Sequence, residues 1–200
     1  MTLASPVACL LALALSASPP TRAPAASALR SGDLVFQTSR SPQSKGIQAA
    51  TRSPWSHVGV VEVARDGVFV VEAIGRVSRT PWQAWAARGE RGEALVLRPR
   101  ALDAAARAGV VAEAKRHLGK PYDTAFGWGD DRLYCSELVW KAFARGAGVE
   151  LGRKERLGDL AVGGLEGAIA ARWGSVPRDL VLVTPASLAA DARLERVEPR

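Results

Sequence analysis

Two runs rich in β-branched residues, separated by an Asp-Gly pair, constrain the fold of this chain more than any other feature. The first run covers residues 57–63 and the second covers residues 68–74. Asp-Gly between two such runs is among the strongest short-range signals for a β-hairpin. We therefore expect an antiparallel sheet built around this hairpin.

Helices and further short strands are predicted on either side of the hairpin. Apolar residues recur at helical spacing between 102 and 118, and an amphipathic helix is expected from about Cys135 to near Gly148. A terminal helix is expected over 186–197, because Pro185 suits a helix start. The remaining predictions are strands at 34–36, 94–98 and 179–183, and a short helix at 43–50. This order of elements indicates an α+β fold with a small, mainly antiparallel sheet packed against helices.

The first 28 residues are typical of a secretory signal peptide. An apolar run from Val7 to Leu15 precedes a segment rich in Ser, Pro and Ala, and cleavage is expected after Ala25 or Ala28. The apolar run is too short to serve as a permanent membrane anchor. We therefore predict an exported protein, periplasmic or secreted, whose residues 29–200 form a single domain.

The charge of the chain favours anionic partners. The formal net charge is +7, and loss of Arg22 with the leader lowers it to +6. In an exported protein such partners would be cell-wall polymers or anionic lipid, so peripheral contact with an anionic envelope surface is expected, although a merely solvated basic surface is equally compatible. Nucleic acid is not expected, because basic residues do not alternate with aromatic ones.

No cofactor or metal site is predicted. The chain has no Gly-rich phosphate loop, and one mature cysteine with two distant histidines lacks the compact ligand spacing of zinc sites.

Cys135 is the candidate nucleophile. Cys9 would be lost with the leader, which leaves Cys135 unpaired at the start of an amphipathic helix. Backbone N–H groups at a helix N-terminus favour a thiolate and could also bind an oxyanion. A buried core cysteine or a dimer-forming cysteine is the alternative.

The chain offers two histidines as a base. His57 opens the first hairpin strand, whereas His117 lies in a helix beside Lys115, Arg116 and Lys120, where a surface position is expected. His57 is therefore the better candidate.

A thiol-imidazole pair needs a third group to hold the ring, and the hairpin offers two acids. Because side chains alternate along a strand, Glu62 faces away from His57. With Asp66 and Gly67 as a two-residue turn, Val61 pairs with Glu72, and Glu72 then shares the face of His57. That register puts Arg76 opposite His57, and a three-residue turn would reverse the parity.

Several of these motifs resemble one known family. Gly32-Asp33-Leu34-Val35-Phe36, Ser56-His57-Val58-Gly59 and Tyr134-Cys135-Ser136-Glu137-Leu138-Val139 are similar to motifs of NlpC/P60 cell-wall hydrolases. The cysteine helix follows the histidine strand here, which is the order of the circularly permuted papain-like group. Within that group the chain most resembles the YiiX/YaeF/YebB-like, C92-type hydrolases.

The resemblance implies a permuted papain-like fold and an acyl-transfer mechanism. It implies Cys135 as nucleophile, His57 as general base and Glu72 as the third polar residue, although many relatives carry His at the third place. Glu137, beside the helix start, would oppose thiolate formation unless it points away. The Cys135 N–H is a plausible oxyanion donor, and a second donor is not identified.

Three functions remain open at this point. The first is an amidase or peptidase that acts on peptidoglycan peptides, and the second is a lipid-directed acyl hydrolase or acyltransferase. Trp55, Trp82, Trp85 and Trp128 fall in predicted loops and could line an apolar groove, or simply pack in the core. The third is a binding module without catalysis, but the candidate cysteine, histidine and acid are all present.

Overall fold

The computed structural model describes residues 21–198. Its strands are β1 (Thr21–Arg22), β2 (Leu34–Gln37), β3 (His57–Ala64), β4 (Gly67–Ile74), β5 (Arg76–Pro81), β6 (Glu93–Pro99), β7 (Lys154–Arg156), β8 (Val181–Val183) and β9 (Leu194–Arg196). Its α-helices are α1 (Ser44–Thr51), α2 (Trp82–Arg88), α3 (Ala104–Arg116), α4 (Cys135–Ala147), α5 (Glu166–Trp173) and α6 (Pro185–Ala189). The α+β class predicted from the sequence is confirmed.

The main sheet is antiparallel throughout. Its strand order is β1-β6-β2-β3-β4-β5, and β9 also pairs with β6, while β7 and β8 form a separate two-stranded sheet. The hairpin therefore lies in the half of the sheet that ends at β5.

The register of the hairpin differs from the predicted one by two residues. Ala64 pairs with Gly67, so the turn residues are Arg65 and Asp66. Gly67 has a φ of 137°, a backbone conformation that glycine adopts without steric cost. Because the shift is even, it preserves which side chains share a face, and it places Glu72 opposite Gly59 in place of Val61.

Helices cover both faces of the sheet. On one face, Val60 and Val71 pack with Val110 of α3 and Leu138 of α4. On the other face, valines of β2, β3, β4 and β6 pack against Trp82 and Trp85 of α2. The sheet is therefore the middle layer of the structure.

The closeness of α3 and α4 depends on two glycines. Gly109 of α3 faces Gly146 of α4, and a Cβ atom on either residue would collide with the backbone of the other helix. This crossing helps to set the position of α4 and hence of its first residue, Cys135.

The C-terminal prediction was wrong in part. The expected helix over 186–197 is only the short α6, and the chain then turns at Asp191, which accepts hydrogen bonds from the backbone of Gly152 and Arg193. Leu194 is buried where β9 pairs with β6. Pairing with a distant strand therefore overrides the local helical pattern.

The segment that precedes the core packs against the sheet edge. β1 pairs with β6, Trp82 Nε1 donates to the Pro24 carbonyl at 3.2 Å, and Arg98 Nη2 donates to the Ala28 carbonyl at 2.9 Å. Cleavage after Ala25 would remove β1. The apolar run of the expected leader lies outside the described residues.

Among residues 21–198, no helix is both long and apolar enough to cross a bilayer.

Candidate active site

Cys135 is the first residue of α4, as the sequence predicted. The preceding residue, Tyr134, is extended, and its backbone N–H donates to Glu137 Oε2 at 3.3 Å. The Tyr134 hydroxyl accepts a hydrogen bond from the Val183 N–H at 3.2 Å. These hydrogen bonds of the Tyr134 backbone and side chain fix the residue that precedes Cys135. The buried, unpaired thiol of Cys135 is thereby held at the N-terminus of the helix.

His57 is buried at the first position of β3. Its Nε2 lies 2.6 Å from Glu72 Oε2. The ring also interacts with the Cys135 side chain, and Nδ1 is the ring nitrogen that the contact with Glu72 leaves for the thiol. The structure thus brings together the three residues that the sequence reasoning selected.

Glu72 reaches His57 diagonally across the hairpin. Glu72 stands opposite Gly59, which is two residues from His57 on the same face. Gly59 is required here, because a Cβ atom at this position would collide with Val70. The short diagonal replaces the longer separation that the predicted register implied.

Two residues that the sequence reasoning did not select complete the surroundings of Glu72. Thr80 Oγ1 donates to Oε1 at 2.6 Å, and Arg88 Nη2 donates to Oε1 at 2.7 Å and to Oε2 at 2.6 Å. Thr80 lies on β5, which pairs with the strand that carries Glu72. Nothing in the sequence distinguishes Arg88 from the other arginines, because its contact depends on how α2 packs on the sheet.

The electrostatics of the three residues favour an ion pair. Burial by itself would lower the pKa of His57, but hydrogen bonds and charge interactions with Cys135 and Glu72 outweigh burial and raise it to about 9. Burial would raise the pKa of Glu72, but His57, Arg88 and Thr80 lower it to about 2. The pKa of the buried Cys135 thiol is likewise lowered, mainly by His57. The arrangement supports a thiolate beside an imidazolium.

Glu137 does not disturb this pair in the way its sequence position suggested. Its side chain turns back to the Tyr134 N–H and to Lys141 Nζ, which lies 2.7 Å from Oε1. Burial raises the pKa of Glu137 to about 7, although Lys141 acts in the opposite direction. The charge near the thiol is therefore reduced at neutral pH, and the remaining charge is paired.

The prediction of a surface position for His117 was wrong. His117 is buried at the C-terminal end of α3, where Lys120 Nζ donates to Nδ1 at 3.0 Å and Glu113 lies 3.4 Å from Nε2. Burial lowers the pKa of His117. Its partners are thus different from those of His57.

An apolar cavity of about 310 Å³ opens at Cys135. Its walls come from α1, from the loop before α4 and from residues 157–185. Its apolar lining includes Ile47, Tyr122, Phe126, Val162, Leu165, Ile169, Trp173 and Leu182. Among the described residues that line the cavity, Arg172 is the one with a charged side chain.

The four tryptophans selected from the sequence do not line this cavity. Trp55, Trp82 and Trp85 are buried in the core, and Trp128 packs edge-on against Trp140. The groove interpretation of these residues was wrong. The aromatic walls come instead from Tyr122, Phe126, Tyr134 and Trp173.

The sheet, the helix order and the cysteine-histidine site define a permuted papain-like cysteine hydrolase. The model of the family described as permuted papain-like amidase enzyme, YaeF/YiiX, C92 family, matches residues 28–198. The chain belongs to this family.

Two similar proteins agree with this assignment. The uncharacterized protein YiiX of Escherichia coli K12 is 39% identical over 160 residues, which cover 78% of this chain and 79% of that protein. A solved structure, described as the crystal structure of metalloprotein YiiX from Escherichia coli O157:H7, matches with a TM-score of 0.81 and 36% identity. That match covers 86% of this chain and 97% of the solved chain.

Proposed function

We propose that this protein is an exported cysteine amidase in which Cys135 is the nucleophile, His57 the acid and base, and Glu72 the residue that orients His57. The observation that carries this proposal is the buried line of side chains in which Cys135 interacts with His57 and His57 is hydrogen bonded to Glu72. Because Nε2 is hydrogen bonded to Glu72, Nδ1 is the nitrogen that is free to exchange a proton with the Cys135 thiol.

The reaction follows from this geometry. The Cys135 thiolate attacks the amide carbonyl carbon, a carbon–sulfur bond forms, and His57 gives its proton to the departing nitrogen. The neutral ring then takes a proton from water, whose oxygen attacks the thioester and releases the acid. The backbone N–H of Cys135, at the positive end of α4, would stabilise the oxyanion.

The cavity favours a substrate that carries an apolar acyl group. A volume of about 310 Å³ is at the lower end of the range of about 300–1,000 Å³ typical of ligand sites. Its walls are chiefly aliphatic and aromatic, and they begin at the thiol itself. Stem peptides of peptidoglycan carry carboxylates and amines, which lose hydration in such a cavity unless polar partners replace it. We therefore rank an acyl amide above a peptidoglycan peptide, which remains the second candidate.

Export to the periplasm or the medium is part of the proposal. It rests on the apolar N-terminal run, which precedes the described residues, and on small residues at the expected cleavage sites. The net charge of the chain, +7, agrees with a peripheral encounter with an anionic envelope surface.

A metal does not fit the described part of the site. One of the similar proteins is described as a metalloprotein. In this chain, residues 21–198 contain no group of three or more His, Cys, Asp or Glu side chains that could hold a metal ion. No step of the proposed reaction is assigned to a metal.

The proposal is tested with a series of acyl p-nitroanilides that run from acetyl to dodecanoyl. We expect kcat/KM to rise by up to about fourfold for each methylene that enters the cavity and then to level off. Cys135→Ala should abolish the reaction. Peptidoglycan stem peptides are assayed in parallel, and cleavage of these alone would favour the second candidate.

A pair of variants connects the chain-length effect to the cavity. Ile169→Glu places a carboxylate in the cavity wall, whereas Val63→Glu places one on an exposed strand end. The first should lower kcat/KM for long acyl groups more than for acetyl, and the second should change neither. Equal losses for all chain lengths in Ile169→Glu would argue against an acyl-chain site.

A further inference from the structure

The strongest unassigned feature is the charge pair behind the site. Glu72 is fully buried, whereas the Arg88 side chain that holds both of its oxygens is 37% exposed. Arg88 is the last residue of α2, which packs on the face of the sheet that carries Glu72. A single guanidinium nitrogen, Nη2, contacts both carboxylate oxygens, and hydrogen bonds between two charged groups are stronger than neutral ones.

The charges alternate along this line of side chains. Arg88 is positive, Glu72 negative, His57 positive when protonated, and the Cys135 thiolate negative. The titratable groups that face His57 are thus Cys135 from α4 and Glu72 from β4, with Arg88 from α2 behind Glu72. Tyr122 and Tyr134 interact with Cys135, and the pKa of each hydroxyl is raised by burial.

Formation of the thioester removes one charge from this line. The acylated sulfur is neutral, so His57 then faces Glu72 without the thiolate. An unopposed carboxylate at 2.6 Å favours the imidazolium, which cannot accept a proton from water. A positive charge behind the carboxylate weakens this effect.

We propose that Arg88 is a positioning residue that acts through Glu72: it fixes the carboxylate and offsets part of its charge, so that His57 is neutral when water attacks the acyl-enzyme. This role rests on the proposed thioester mechanism. Arg88 touches neither the thiol nor the water, and the bonds made and broken are those of ordinary thioester hydrolysis.

Arg88→Met should therefore slow deacylation more than acylation. The kcat of the wild type should increase with pH as His57 of the acyl-enzyme loses its proton. In Arg88→Met we expect the midpoint of this increase to lie about one pH unit higher, a size that allows for the solvent exposure of Arg88. The burst of released aniline should persist, because acylation uses the imidazolium. Arg88→Lys should restore most of the profile, and Arg91→Met removes an exposed arginine as a matched control.

A second measurement needs no substrate. Methyl methanethiosulfonate converts Cys135 into a neutral, blocked sulfur that stands in for the acyl-enzyme, and the chain has only two histidines to follow by NMR. The pKa of His57 should rise by about one unit in blocked Arg88→Met relative to the blocked wild type. The pKa of His117 should stay constant.

The outcomes separate the two proposals. An unchanged His57 pKa in blocked Arg88→Met would overturn the role of Arg88, whatever the substrate. An equal fall of kcat at every pH would do the same, because it indicates a merely structural contribution. Absence of a Cys135-dependent thioester in the wild type would refute the proposed function instead, and with it the deacylation role, even if the NMR titration showed that Arg88 lowers the pKa of His57.

Discussion

Replacement of His57 by alanine should slow alkylation of Cys135 most strongly at low pH. Burial raises the pKa of this thiol, and the interaction with His57 is the largest influence that lowers it. Without the ring, the backbone N–H groups of Val58 and Ser136 remain as the contacts that favour the thiolate. The pKa of the thiol should then reach or exceed the ordinary value of about 8.5.

The size of the effect follows from the ionised fraction. A thiol with a pKa of about 8.5 is roughly 0.3% ionised at about pH 6. A thiolate of higher pKa is also the stronger nucleophile, which offsets part of the loss. We therefore expect the alkylation rate at about pH 6 to fall by about ten- to a hundredfold, and the two proteins to converge as the pH approaches about 9.

The assay is iodoacetamide labelling followed by peptide mass spectrometry, which distinguishes Cys135 from Cys9. His117→Ala is the matched control, because His117 is also buried but is paired with Lys120. Equal labelling rates for wild type and His57→Ala at every pH, with both proteins folded by circular dichroism, would refute the thiolate-imidazolium pair.

Three further predictions concern the carboxylate and the helix crossing. Glu72→Gln should bring the pKa of His57 below about 9, and an unchanged NMR titration would contradict the assigned contact. Because the pKa of Glu72 is lowered from 4.5 to about 2, its stabilising contribution of about 3 kcal/mol is present above pH 4.5 and is lost as the pH falls toward 2. Urea unfolding should show this loss in the wild type and not in Glu72→Gln. Gly146→Ala should lower the free energy of unfolding by about 1–3 kcal/mol, because its Cβ meets the backbone at Gly109, whereas Gly167→Ala has open space and should not destabilise. Equal unfolding midpoints for the two glycine variants would count against the close crossing.

Much of the fold was predictable where the signal is local. The hairpin strands and the helix that begins at Cys135 have strong patterns over seven or more residues, and both are confirmed. The expected helix over 102–118 is observed as Ala104–Arg116. The hairpin register was misassigned by two residues, because the turn could be placed on Asp66-Gly67 or one residue earlier. The prediction that Glu72 and not Glu62 shares the face of His57 was unaffected, since an even shift does not change the face.

Other parts of the site were beyond local patterns. The cavity walls come largely from residues 157–185, where short apolar pieces alternate with glycines and give no clear period. His117 has basic neighbours that suggest exposure, yet it is buried where Lys120 folds back on it. In both cases packing between segments decides the burial.

The sequence by itself determined where a thiol begins a helix, where a histidine begins a strand, and which of two acids shares the face of that histidine. These properties depend on the chain direction and on the periods of helix and strand, so they are local. Only the tertiary structure decided that Arg88 lies behind Glu72 and that an apolar cavity opens at Cys135. Such contacts join segments far apart in the chain, and they depend on strand register, helix crossing and side-chain packing, which no local pattern specifies.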